Sequence, residues 1–469
     1  MCRFQKIDYL RPGRSGRCSM FPALLAGCLL ACSLAGCAQC IGIQALPASD
    51  DAQGPGDSVQ SATDAHGPGD AQGGGLPPGD RLVPSNGAML SHLDGVIALH
   101  VQAGVTLTVS TDTGGIVSSK IGMIRSPGKG LRDGIGYFPL PRAPGGPDDT
   151  LGPAVIAVAA LSVEPGGTLT ATGTRPLLVL SRGDVSIRGS VSVSADGRSG
   201  LDNVPGAGGG MGAVYASDRA GGCAPGENGG ENAGGGGGGF RHPGGKGGNS
   251  SAGAGGKGGS PADGGCAQER AILTGGSGGG TGAGEVGGKG GSGGGAVQIT
   301  SLTGIEILGE PEAASASAVI WDPSLLTGVF ASGSGGDGGG GGFSGSGGGG
   351  GGGSGGMILL EAPWIVIRDA YLTANGGGGG GGSAVMSEVR DGDDGIPEGS
   401  NAFGGQGDAW GGDGGTGMLM PTGGEGGSDH AGGGGGSAGV IRLHVPSDQH
   451  DLEQAELSPE PSLYEPVWE

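Results

Sequence analysis

Aromatic side chains are scarce in this 469-residue chain: seven Phe, five Tyr and four Trp. Packed domains draw much of their core from such rings, so a large conventional core is excluded. Basic residues are also few, 24 Lys and Arg against 45 Asp and Glu. Arg3, Lys6, Arg11, Arg14 and Arg17 against Asp8 give the first 36 residues +4, which leaves −25 on the remainder of a chain of net charge −21. A surface so acidic offers no basic patch to displace phosphate counterions, which excludes nucleic acid as a partner. Beyond residue 36 no apolar run is long enough to span a bilayer as a helix.

Glycine is what the chain has in excess. With 123 Gly and 29 Pro, these two residues make up about a third of the sequence. Collagen requires Gly at every third position, whereas here it comes in blocks such as Gly347 to Gly353 and Gly376 to Gly382. Collagen is therefore excluded.

The amino terminus reads as a processing segment. A basic stretch through Arg17 is followed by an apolar run from Met20 to Leu34, interrupted by Pro22, Gly27 and Ser33, and then by Leu34-Ala35-Gly36-Cys37. This ending resembles a bacterial lipobox, which implies that residues 1–36 are removed and that Cys37 becomes the acylated first residue. Leu25-Ala26-Gly27-Cys28 fits the same pattern, but it leaves only a short apolar region with Pro22 inside it, so Cys37 is the expected attachment site. The alternative is an ordinary secretory peptide cleaved after a small residue. Several acyl chains on one cysteine anchor a protein firmly without a transmembrane helix. Residues 37–81 follow as an acidic tether rich in Asp, Gly and Pro, too poor in apolar side chains to repay ordering, and are expected to be disordered.

Beyond Leu82 short apolar runs of period two appear, which signal strands. Ile97 to Val101 and Val105 to Val109 form the first pair, a Pro-rich loop is expected after them, and Ala154 to Val163 reads as a strand covered on both faces. From Leu177 to Val193 the residues Leu177, Val179, Val185, Ile187, Val191 and Val193 share one parity. Ser186, Arg188, Ser190 and Ser192 occupy the other and are expected to meet water, while Leu178 and Leu180 suggest burial from both sides. One file of aliphatics surviving across turns is how a stacked repeat reads. Looser copies occur at 296–309, at 362–376 and, truncated, at 440–445.

Two glycine blocks, 205–295 and 331–439, interrupt the copies, the second with strands embedded at 357–375. They read either as flexible linkers or as ordered polyproline-II-like helices whose backbone donors pair between neighbours. Anchorage at both ends, low charge density and two cysteines in matching contexts favour order. Those cysteines, Gly221-Gly222-Cys223 and Gly264-Gly265-Cys266, are the only ones beyond the amino-terminal region, and an exported chain would pair them as a disulfide. Cys40 is left unpaired and reads as a thiol for intermolecular pairing.

Gly167 to Gly173, Arg182-Gly183-Asp184-Val185, Ala195-Asp196-Gly197 and the long glycine blocks after Gly-Ser resemble the glycine-rich surface lipoproteins of myxobacteria, themselves similar in composition to the polymorphic GC-rich-repeat proteins of mycobacteria. The likeness spans residues 90–445, and the mycobacterial amino-terminal helical module is missing. The resemblance implies a surface lipoprotein and supplies no catalytic residues.

Signals for specific chemistry are thin. Calcium-binding nonapeptides place Asp at a fixed offset from glycine, yet Asp429 comes one place late after Gly423-Gly424 and Asp337 comes early after Gly335-Gly336. Asp391-Gly392-Asp393-Asp394-Gly395 is acidic enough for a hard cation but lacks a terminal Glu, and reads as an exposed loop. Polysaccharide-cleaving β-helices need paired carboxylates; Asp184, Glu306, Glu361 and Asp369 lie on or beside strands without a neighbouring Arg, His or Tyr cluster. Trp364 and Tyr371 could stack on sugar, though packing is the simpler reading.

These observations lead to an all-β expectation: an irregular parallel β-solenoid or β-helix-like body with polyglycine-II-like insertions, a strand-rich domain at 82–204, a strand segment at 296–330, a last strand at 440–446 and a disordered acidic tail over 447–469. The expected role is non-catalytic, structural or adhesive, at the outer membrane or surface of a bacterial envelope. Partners are the membrane, through the lipid, and envelope polysaccharide or neighbouring cells; no metal and no cofactor are expected. Alternatives are a carbohydrate-active β-helix enzyme and an ice- or mineral-binding protein.

Overall fold

The computed structural model describes residues 82–142, 151–197, 204–261, 266, 272–309, 326–340, 345–384, 387–396 and 400–468. The expected signal peptide, Cys28, Cys37, Cys40 and the acidic tether lie outside the described residues.

The chain is nearly all β, with no α-helix among the described residues. β1 (Leu99–Val101) and β2 (Thr106–Ser110) are followed by β3 (Ile116–Ser118), β4 (Gly122–Arg125), β5 (Gly130–Arg132) and β6 (Ile135–Pro139). Strands then come in threes. The sets are β7 (Ala154–Val158), β8 (Leu161–Val163) and β9 (Thr168–Thr172); β10 (Leu177–Ser181), β11 (Val185–Ile187) and β12 (Ser190–Ser192); β13 (Ala296–Ser301), β14 (Ile305–Leu308) and β15 (Gly328–Phe330). Two more follow, β16 (Met357–Glu361), β17 (Ile365–Arg368) and β18 (Tyr371–Thr373), then β19 (Val440–His444), β20 (His450–Asp451) and β21 (Glu456–Ser458), before β22 (Ser462–Tyr464).

Each set distributes its members over the same three sheets in the same order. One sheet runs β22-β19-β16-β13-β10-β7-β6-β5, the second β1-β8-β11-β14-β17-β20, and the third β21-β18-β15-β12-β9-β2-β3-β4. Pairing is parallel except around β3 to β6. In-register stacking carries each inward residue onto its counterpart in the next set: Leu161, Val185, Ile305 and Ile365 form one file, Leu169, Val191, Val329 and Leu372 a second, and Ile156, Val179, Ile299, Leu360 and Leu443 a third. All are buried in one apolar cluster, where aliphatic side chains of moderate size fill most of the space and Tyr137 supplies a ring.

The parity of 177–193 is realised, since its odd-numbered aliphatics all face this cluster. Leu178 and Leu180 point the other way and are buried by Ala88, Leu93 and Val96 from the segment preceding β1. Ser190 departs from expectation: it is buried, its hydroxyl donating to Thr168 Oγ1 at 3.3 Å instead of to water. Ala154 to Val163 is two strands with a corner at residues 159–160.

Two larger expectations are corrected. The Pro-rich stretch 127–153 contains β5 and β6, which with β3 and β4 just before it are antiparallel and close one end of two sheets. Arg125 holds them: fully buried, it donates to the carbonyls of Gly114, Ser126, Gly128, Gly130 and Ile135 at 2.6–3.0 Å. The carboxyl-terminal residues are no disordered tail, because β20, β21 and β22 extend all three sheets. Leu457 rests against the core, Arg368 pairs with Asp451, and Val83 N–H reaches Val467 O at 2.9 Å.

The glycine blocks are ordered by hydrogen bonds between tracts. In the tract 233–240, Gly234 and Gly237 donate to Gly248 and Gly245, Gly235 and Gly238 to Gly349 and Gly352, and Gly236 and Gly239 to Glu227 and Ala224, all at 2.8–3.1 Å. Successive residues thus address three different neighbours and the fourth returns to the first. Three further tracts donate back, through Gly256 and Gly259, Gly434 and Ser437, and Gly280. Every N–H and C=O of that tract from 234 to 238 is satisfied without water. The tract 347–356 repeats the arrangement with its own six neighbours. The glycine positions of such tracts leave no room for a side chain: a Cβ on Gly351 would lie 2.1 Å from Gly236 O, and one on Gly433 1.9 Å from Gly350 O. The side chains that do enter are small, such as the buried Ser354, whose Oγ accepts from Ser277 N at 2.7 Å.

The outer face of the first sheet is covered too. Glu361, fully buried, accepts hydrogen bonds from Ser85 N (3.0 Å), Ser85 Oγ (2.6 Å), Thr300 Oγ1 (2.9 Å) and Gln298 Nε2 (3.2 Å), and Asn86 Nδ2 donates to Gln298 Oε1 at 2.8 Å. Beside this polar patch Phe240 and Leu273, from the first glycine block, pack on Ala296, Met357 and Leu359. The two parts of the molecule meet there.

Two outcomes follow. Gly351→Ala should lower the urea-unfolding midpoint by the equivalent of about 3 kcal/mol or more, whereas Gly423→Ala, whose added Cβ meets nothing nearer than 3.0 Å, should cost far less; equal effects would contradict the close-packed array. Glu361→Ala strands several buried donors and should cost about 3 kcal/mol, with Glu361→Gln milder, measured by the same unfolding curves.

Candidate functional site

The structure brings Cys223 and Cys266 together as a disulfide, with a Cα–Cα distance of 5.9 Å across a sequence separation of 43. Cys266 also touches the Phe240 cluster, and its N–H donates to Phe240 O at 3.1 Å. The bond therefore pins the first glycine block where it meets the sheet.

The carboxylates weighed as catalytic candidates are not gathered. Glu361 is committed to the buried patch under Ser85. Asp184 is exposed and accepts a 2.5 Å hydrogen bond from Thr303 Oγ1. Glu306 sits on β14, and Asp369 occupies the left-handed turn after β17 at φ 50°. Trp364 lies over Gly304, where a Cβ would fall 2.0 Å from the indole, so its ring serves packing.

The acidic residues of the second glycine block have a structural task that composition did not reveal. At the margin of the array some backbone N–H groups take a carboxylate of the adjoining tract in place of its backbone carbonyl. Asp394 Oδ1 accepts from Gly335 N (2.9 Å), Asp391 Oδ1 from Gly338 N (2.8 Å), Asp413 Oδ1 from Gly404 N (2.9 Å) and Glu425 Oε2 from Trp410 N (3.2 Å). Among the described residues no group of three or more His, Cys, Asp or Glu could hold a metal ion.

Turns joining glycine tracts lie at both ends of the array, the one at 416–419 beside β21 and others at the end away from the strands. The tract 374–383 leaves β18, and at about 3.1 Å per residue its far end lies about 30 Å on. There Gly382 pairs with Gly339 and Ala409, and Gly347 with Gly284 and Ser383. The segments 387–390 and 406–410, joined by Arg390 N–H to Gln406 O at 2.8 Å, border an open cavity of about 380 Å³. Glu388, Arg390, Gln406, Asp408 and Trp410 line it. Trp410 is 49% exposed although its backbone is fixed on both sides, by Glu425 Oε2 on its N–H and Glu425 N–H on its carbonyl. Asp408 Oδ2 accepts from Ala384 N at 2.9 Å. That N–H chiefly, and then the Ser387 hydroxyl, hold the Asp408 carboxyl below the ordinary aspartate value. Ionised throughout the neutral range, it is an acceptor and not a proton donor. Arg390 is exposed, and its guanidinium makes no hydrogen bond or ion pair among the described residues.

Sequence reasoning passed over this cavity. Its one signal is Asp408-Ala409-Trp410 between glycine runs: an indole at a turn between tracts that exclude side chains has no interior to enter. Other apolar side chains of the same block stand out likewise, Met418 at 96% and Met420 at 67% exposure around a turn and Phe403 at 62% on an edge tract.

Reduction of the disulfide, or Cys223→Ser, should lower the unfolding midpoint by the equivalent of about 3–4 kcal/mol from regained unfolded-state freedom, and hydrogen exchange should rise first around Phe240 and Leu273. Exchange unchanged there would show that the array is held at the sheet without the covalent link. No protein-family model, curated protein or solved structure matches this chain.

Proposed function

We propose that this chain is a non-catalytic, lipid-anchored protein of the bacterial envelope that carries adhesive contacts at the cell surface. The three-sheet body is read as a parallel β-solenoid, and the glycine blocks as a polyglycine-II-like array built out from one side of its strands. The observation that carries the proposal is the placement of half-exposed and exposed apolar side chains, Trp410, Met418 and Met420 at or beside turns and Phe403 on an edge tract, on an array whose glycine positions leave no room for a Cβ. Side chains that contribute little to folding and are held on a hydrogen-bonded scaffold are suited to contact with a partner. Many copies of such a surface on one membrane add weak contacts into firm attachment. The lipobox-like Leu34-Ala35-Gly36-Cys37 supplies the anchor in this reading, and envelope polysaccharide or a neighbouring cell the partner.

Metabolic labelling with an alkynyl fatty acid should tag the full chain, and Cys37→Ser should abolish the tag and release the chain from the membrane fraction. Cells displaying the chain should bind to surfaces coated with envelope polysaccharide more than cells lacking it. Labelling and fractionation unaffected by Cys37→Ser would overturn the anchor; equal binding by both cell types would overturn the adhesive role.

A further inference from the structure

The cavity at the far end of the glycine array has the groups that recognise one particular kind of ligand, and we infer that it binds a neutral hexose unit of a polysaccharide. This inference rests on the adhesive reading above and specifies where the contact is made and with what.

The first argument is shape and rigidity. A volume of about 380 Å³ lies at the small end of ligand-binding cavities, suited to a single sugar ring rather than a folded partner. Its walls are tied into the array: Gly381 N–H reaches Arg390 O at 3.1 Å, Gly382 and Ala409 exchange both of their backbone hydrogen bonds at 2.8 and 3.0 Å, and Arg390 N–H holds Gln406 O. Little backbone ordering is left to be lost on binding.

The second argument is chemistry. A pyranose presents a face of C–H groups and a rim of hydroxyls, each both donor and acceptor. Trp410 offers a broad apolar ring, half-exposed and on a fixed backbone. Around it stand one planar guanidinium with its donors unused, from Arg390, the amide of Gln406, which both donates and accepts, and two carboxyl groups, from Glu388 and Asp408, which accept. Vicinal hydroxyls bridge such groups in pairs, as carboxylates and guanidinium do with one another.

The third argument is charge. Arg390 is offset by Glu388 and Asp408 within the cavity, and Asp408 is kept ionised by Ala384 and Ser387. The surrounding chain is strongly acidic. A uronate or phosphate would approach against that field, and a small cation would have no use for the indole. Neutral hydroxyl-rich rings remain as the class for which every lining group has a role.

The test uses the full chain in detergent, titrated with cellotriose, maltotriose, mannotriose and laminaritriose, and with trigalacturonate as the acidic counterpart, by calorimetry and indole fluorescence. At least one neutral trisaccharide should bind saturably. Trp410→Ala and Arg390→Ala should each weaken it about tenfold or more, Trp410→Phe should retain most of the affinity, and Trp364→Phe should change nothing. Unaltered hydrogen-exchange protection in 374–383 would show that the variants keep the array. The inference is overturned if no neutral trisaccharide binds, if only trigalacturonate binds, or if binding survives both alanine variants. Cell adhesion that persists in Trp410→Ala overturns this cavity as the contact while leaving the adhesive reading intact; absence of adhesion by the unaltered chain removes that reading itself.

Discussion

A backbone amide taken out of water must find a carbonyl, and in this molecule that requirement governs more of the structure than the burial of side chains does. Glycine tracts have nothing else with which to make contact. An extended tract of three residues per turn points its N–H groups in three directions, so satisfying all of them without water calls for neighbours on every side. The tracts 233–240 and 347–356, each with six partners, show that condition met. At the margin, Asp391, Asp394, Asp413 and Glu425 on the outer tracts provide side-chain oxygens where a backbone carbonyl does not. Part of the acidity of the chain is thus a by-product of finishing the edges of an array.

The three-sheet body obeys the opposite economy. Its files of Val, Ile and Leu are stabilised by apolar burial, at roughly 25 cal/mol for each Å² removed from water. The array buries peptide groups and hardly any apolar side chain. Unfolding the first exposes surface that raises heat capacity, while unfolding the second exposes mainly polar surface that lowers it. The two halves therefore respond to cooling in opposite ways, and they are joined at a place that mixes both kinds of contact: Phe240 and Leu273 on the sheet face, the buried carboxylate of Glu361 beside them, and the disulfide of Cys223 and Cys266.

How much of this was legible follows from where the information resides. The parity of Leu177 to Val193 is a property of consecutive residues, and it marked the inward file and the double burial of Leu178 and Leu180 correctly. The cysteine pair and the likelihood of order in the glycine blocks could also be read from local context. β20 and β21 could not. They are two and three residues long, carry His450, Asp451 and Glu456, and become strands because β17 and β18 present a free edge to them. Strands β5 and β6 lie among prolines, and β3 to β6 together depend on Arg125, whose five carbonyl partners span residues 114 to 135. The cavity beside Trp410 is assembled from turns of two tracts folded against each other, a placement that only the array determines.

The three-residue period sets a rule for how the array can change length. Removing or inserting one glycine in the tract 347–356 rotates every later N–H by about 120° and aims it at the wrong neighbour; three glycines at once restore each direction and shift the far turn by about 9 Å. Variation in such a tract is therefore quantised. A lineage of these chains can move its terminal loops outward or inward in whole triplet steps, altering reach while the pattern of partners stays the same.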